Sequence, residues 1–162
     1  MNQIEKYFNA EKYESVLFVL VGMVAIATAT YFFVRVKQSF YYGMAYPLIA
    51  VALIQIVVGG SVYFRSPKDI ARVTEIVQTN KVKIQTEEIP RMKTVMKNFA
   101  IYRWVEILLL LTGIIMFFYF QPLNIWKGVG AGLAIQAGFM LLLDFFAESR
   151  GRIYLEYLMK II

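Results

Sequence analysis

The chain has 162 residues, of which 59% are hydrophobic, and a mean hydropathy of +0.58; a soluble globular domain is nearer about 45–50% apolar. It carries 17 Lys and Arg against 11 Asp and Glu, a net charge of +6, and it has no cysteine and no histidine. Thiol–disulfide chemistry, a Cys/His zinc site and haem ligation through His or Cys are excluded, and so are the quinone-linked disulfide-forming membrane enzymes, which need cysteines.

The apolar residues come in blocks. No charge falls between Glu14 and Arg35, between Lys37 and Arg65, or between Glu106 and Lys127. A fourth block runs from Gly128 to Leu143 and reaches a similar length by continuing through Asp144 to about Ala147. A helix needs about 20 residues to cross the hydrocarbon. The expected fold is therefore an all-α integral membrane protein forming one domain. Its four-transmembrane-helix bundle has spans at about 15–36, 42–64, 101–121 and 127–147. A cytoplasmic helical hairpin at about 66–100 separates helices 2 and 3, and a C-terminal amphipathic helix occupies about 148–162.

The first block does not read as a signal peptide. Glu5, Glu11 and Glu14 interrupt the amino-terminal region, and no small-residue cleavage site follows the block, so the helix is expected to stay in the mature protein. The middle of span 1 is "VGMVAIATAT". The proton-coupled small multidrug transporters, also four-span proteins, carry a Glu deep in that helix, and this chain does not. Thr28, Thr30 and, in span 3, Thr112 are expected to bond back to their own helix carbonyls. Aromatic residues crowd both ends of the spans, Tyr31, Phe32, Tyr41 and Trp126 at one level and Tyr13, Tyr63, Tyr102 and Trp104 at the other, as interfacial belts do.

After span 2 comes "RSPKDIARVTEIVQ", which reads as a helix start. Ser66 is placed to cap, Pro67 suits the first helical position, and Asp69 lies near the positive end. Ile70, Val73, Ile76 and Val77 then recur at helical spacing. The pattern weakens at "QTNKVKIQ". A second start follows, with Thr86 as cap, Glu87 and Glu88 in the first turn and Pro90 early enough to be tolerated. Met92, Val95, Met96 and Phe99 form its stripe, and no breaker separates Arg91 from Leu111. One long helix from the loop into span 3 is expected. In the tail, Ile153, Tyr154, Tyr157, Leu158 and Ile161 make an apolar face, with Gly151 placed to bend its start.

Sidedness follows from the basic residues. With four spans, 14 Lys and Arg fall on the side of the termini and middle loop, and only Arg35, Lys37 and Lys127 on the other. The positive-inside rule places both termini in the cytoplasm of a bacterial-type inner membrane. A basic face beside anionic lipid accounts for the net charge without nucleic acid.

Several polar residues stand out. Counting about 20 residues inward from the outer ends puts Arg103, Glu106, Asp144 and Glu148 at one depth, near the cytoplasmic boundary. A polar cluster joining Arg103 to Asp144 or Glu148 is expected, with Glu106 in reach, and Glu14 and Arg65 extend the ring at that level. Its plain role is to fix helix rotation and register; its sharper role is a proton or cation site, or a docking point. Gln55 and Gln136 lie deeper and are expected to hydrogen-bond across helices. They fall within "VALIQ" and "GLAIQ", 81 residues apart, a weak internal repeat that casts each half as a hairpin followed by an amphipathic helix. In span 4, Gly128 and Gly132 form one small-residue row, and Gly130, Ala134 and Gly138 another; both are expected to serve helix packing inside the bundle, with a homodimer face as the alternative. "GVGAG" is not a nucleotide loop, because no strand precedes it and no Lys-Ser or Lys-Thr follows.

No catalytic set and no metal-ligand spacing is evident, and no cofactor is expected. The function that fits best is a non-enzymatic inner-membrane protein acting by protein–protein interaction, for example an immunity protein against a membrane-targeting toxin, or an accessory or regulatory subunit. A small oligomeric transporter or channel is the alternative, and a lipid-modifying enzyme the second. The expected partners are the lipid bilayer and either a protein partner or further copies of the chain.

Overall fold

The computed structural model describes residues 3–79 and 81–162, and no strand occurs among them. Four long helices follow in order: α1 (Gln3–Val36), α2 (Ser39–Thr79), α3 (Lys81–Tyr119) and α4 (Ile125–Lys160). Each is long and apolar enough to cross a membrane. The last turn of α1, Phe32–Val36, and an early turn of α3, Ile84–Glu88, are π-helical.

The helices are assembled on a seven-residue register. Phe8, Ser15, Gly22 and Ala29 are buried along α1; Ala45, Ala52, Gly59, Ser66 and Val73 along α2. Met92, Glu106 and Gly113 continue the pattern on α3, and Gly130, Ala137, Gly151 and Leu158 on α4. The vacant steps are filled by half-buried Phe99 and Asp144. A repeat of seven keeps one face on its neighbours over the full length, as in left-handed bundles. Across the bundle the order is α1, α2, α4, α3: α1 packs along α2, α2 along α4 and α4 along α3. The remaining side, between α1 and α3, is not closed by backbone packing.

This register explains where helices run through the expected breaks. α2 is continuous across Ser66 and Pro67. Its buried stripe passes from Gly59 through Ser66 to Val73 without a change of phase, so ending the helix would misalign both halves. Proline removes one backbone hydrogen bond, and the Ser66 hydroxyl donates to the Val62 carbonyl at 2.8 Å rather than capping a new helix. Thr86 likewise donates to the Val82 carbonyl at 3.2 Å. The segments expected as a separate hairpin are thus the prolongations of α2 and α3. Asn80, within the weak stretch between them, lies outside the described residues. The tail is the continuation of α4, and Gly151 makes room for Met96, whose sulfur would stand 3.1 Å from a Cβ there.

At the opposite end the turns are short. Lys37 takes a left-handed conformation (φ 52°) and closes α1 by donating its N–H to the Phe32 carbonyl at 3.1 Å. Asn124 caps α4, its side chain accepting from the Trp126 N–H at 2.8 Å. Close approach in the apolar half depends on glycine. A Cβ on Gly43 would overlap the Ile125 carbonyl of α4, and one on Gly128 the Phe40 carbonyl of α2. Gly132 also faces α2, against Met44 and Pro47, whereas Gly130 faces Gly113 and Phe117 of α3. The two small-residue rows of α4 therefore serve its two neighbours. Ala134 belongs to the second row, its backbone meeting Gly113. Gly138 does not continue it: a Cβ there meets nothing within 4 Å.

Candidate functional site

The charged half of the molecule contains a buried ion cluster that the spacing did not reveal. Glu88 is 0% exposed. Arg91, one turn on, donates from Nε at 2.9 Å and from Nη2 at 2.6 Å, gripping both carboxylate oxygens. Arg72 of α2 donates at 2.8 Å, and the Tyr154 hydroxyl of α4 at 3.2 Å. Burial, with Glu88 beside it, pushes the Tyr154 phenol well above its ordinary pKa, so it remains a donor. The Tyr154 ring stacks on Tyr7 at 4.3 Å, and Phe8 meets it edge-on at 5.7 Å. All four helices are tied together here, around an apolar core that includes Ile4, Val73, Ile84, Met92 and Leu158. The sequence places Glu88 simply in the first turn of a second helix start. Its pairing with Arg72 depends on the end of α2 meeting the start of α3, which no local pattern states.

Nearer the apolar half, the expected ring resolves into separate groups. Arg103 donates to Glu148 at 2.8 Å, and Arg152 reaches the other oxygen of Glu148 at 3.2 Å. Glu14 accepts from Arg150. Arg65 sits 3.0 Å from Asp69 and 3.5 Å from Glu11. Arg103 does not pair with Asp144, and Glu14 and Arg65 are not joined to Arg103.

That leaves Glu106 and Asp144. They occupy buried-stripe positions on α3 and α4, and their carboxyl groups are close enough to interact. Glu106 is 2% exposed, and no protein donor among the described residues reaches either of its oxygens. Both side chains line a cleft of about 560 Å³ bordered by faces of all four helices and open on the side where α1 and α3 stand apart. Glu11, Glu14 and Arg65 stand at its charged end, and Gln55 lies deeper. The walls between are apolar, with Phe18, Val58, Leu109 and Met140 among them. Gln55 donates to Gln136 at 3.4 Å, and Gln136 donates to the Leu48 carbonyl at 3.3 Å, which is the cross-helix bonding expected of these two residues. The Gln55 oxygen, in a residue 0% exposed, is left without a partner, and so is Oε2 of Glu11.

The seven-residue spacing is the signal that marks Glu106 and Asp144. Phe99, Glu106 and Gly113 are evenly spaced, as are Ala137, Asp144 and Gly151, so the two acids stand where the helices bury their packing residues. A cleft of this size with apolar walls and few polar groups has the form of a small-molecule site. No group of three or more Asp and Glu that could hold a metal ion occurs among the described residues. The sequence matches no protein family, and no curated protein or solved structure is detectably similar to it.

Proposed function

We propose that the chain is a multi-pass protein of a bacterial-type inner membrane that takes a small molecule into the cleft between its helices, as a transporter or carrier does. The four long apolar helices and the one-sided distribution of Lys and Arg support insertion with both termini in the cytoplasm. The charged half, including the Glu88 cluster, then forms a cytoplasmic extension of the bundle. The observation that carries the reading is Glu106: a carboxyl group 2% exposed, beside Asp144 and without a basic partner among the described residues, facing a cleft of about 560 Å³. Ionisable groups buried inside a membrane bundle are costly and belong to pathways or binding sites when they are not paired. The protein-partner reading draws less support, because Arg72 and Arg91, well placed for recognition at the cytoplasmic end, are engaged by Glu88 within the chain.

The absence of cysteine makes the test direct, since a single introduced thiol has no background. Ala137→Cys places a thiol on the cleft wall, and Leu108→Cys places one on the exposed apolar surface of α3. A small charged thiol reagent applied from the cytoplasmic side is expected to modify the first and spare the second. An inert cleft thiol, together with a stoichiometric protein in an affinity pull-down from native membranes, would return the function to partner binding.

A further inference from the structure

Resting on that reading of the cleft, we infer that its ligand is an organic ammonium ion with an apolar body, held through its N–H groups by Glu106 and Asp144. The buried atoms facing the cleft that no donor reaches among the described residues are all oxygens: both of Glu106, whose carboxyl meets only that of Asp144, the Gln55 oxygen and Oε2 of Glu11. An unmade hydrogen bond at a buried polar atom is costly, and only a donor repairs it. A carboxylate ligand or a phosphate offers acceptors where acceptors already stand.

Charge points the same way. Arg65, the cation facing the cleft, is held by Asp69 and Glu11, and Glu14 is held by Arg150. Glu106 and Asp144 have no cationic partner among the described residues. Two neighbouring carboxylates hold either a shared proton or a cation. A hard divalent ion keeps six or more oxygens around it, waters included, and beside these two acids the walls are apolar, with no third acid joining them among the described residues. An ammonium ion asks for less, with its remaining surface against aliphatic and aromatic walls.

The register gives the ligand a length. Gln136, bonded to Gln55, precedes Asp144 by eight residues on α4, or about 12 Å of helix rise. An extended molecule with its ammonium at the carboxylate pair reaches the Gln55 level with its far end.

The probes are phenylbutylammonium, neutral phenylbutanol and anionic phenylbutyrate, tested for protection of the Ala137→Cys thiol and by calorimetry on the full chain in detergent. Phenylbutylammonium is expected to protect the thiol at concentrations where phenylbutanol does not, and phenylbutyrate not at all. Glu106→Gln is expected to weaken the ammonium by about tenfold or more, as befits loss of a charge-assisted hydrogen bond, and Asp144→Asn provides a second variant if the first fails to fold. Equal protection by the alcohol and the amine, protection by the acid, or no protection of a reactive thiol would overturn the ammonium assignment while leaving the cleft standing. A thiol that never reacts would remove the cleft reading itself.

Discussion

The Gln55 amide donates to Gln136 Oε1 at 3.4 Å, joining α2 to α4 at the centre of the bundle through two residues 81 positions apart. That offset also relates the helices. Shifting α1, residues 3–36, by 81 gives 84–117, against 81–119 for α3; shifting α2, residues 39–79, gives 120–160, against 125–160 for α4. The two halves thus place their helices at corresponding positions along the chain, and their second helices meet in the middle.

Gln136 both accepts from Gln55 and donates to Leu48, so Gln136→Leu should cost more stability than Gln55→Leu. The double variant should cost less than the sum, by about 1 kcal/mol, typical of an interhelical hydrogen bond in lipid. Thermal unfolding in detergent of the four proteins measures the coupling; strict additivity would mean the bond contributes nothing.

Glu88→Ala should be among the most damaging single changes in the charged half. It leaves Arg72, Arg91 and the Tyr154 hydroxyl facing an empty site, and breaking a buried pair costs about 3–5 kcal/mol. Hydrogen exchange should rise first at the amides near Glu88 in α3 and near Tyr154 in α4. Unchanged protection there would refute the role given to the cluster.

Arg103 should couple to Glu148 and not to Asp144. Arg103 is partly exposed, so the coupling is small, about 0.5–1 kcal/mol. In double-mutant cycles Arg103→Ala with Glu148→Ala is expected to be non-additive, and Arg103→Ala with Asp144→Ala additive.

Gly128→Ala should destabilise by about 1–3 kcal/mol or more, because the new methyl meets the backbone of α2. Gly138→Ala meets open space and should be neutral or slightly stabilising, since alanine favours the helix by about 0.8–1 kcal/mol. Melting temperatures of the two variants give the comparison; similar losses would contradict the packing described for α4.

Burial pushes the Glu11 carboxyl above its ordinary value of 4.5, against the opposing pull of Arg65. A carboxyl raised in the folded state contributes stability below its unfolded pKa and loses it as pH rises through the folded one. Raising pH from about 4.5 towards neutrality should therefore cost stability through this group, and Glu11→Gln should flatten that part of the profile. A variant with an unchanged slope would assign the dependence to other groups.

Four apolar helices, their alternation with charged segments and the concentration of Lys and Arg at one end are legible in the chain alone. These are properties of composition and run length, set by how much apolar chain each helix must bury. The chain also holds the seven-residue spacing that places Glu106 and Asp144 among packing residues. Which charges meet is set by how the helices pack. Glu148 rather than Asp144 takes Arg103, and Glu88 is gripped by an arginine 16 residues away on another helix. Such choices depend on the rotation and stagger of one helix against the next, and those follow from where glycines admit a neighbouring backbone. A single helix's periodicity fixes which face is buried; it does not fix what that face will touch.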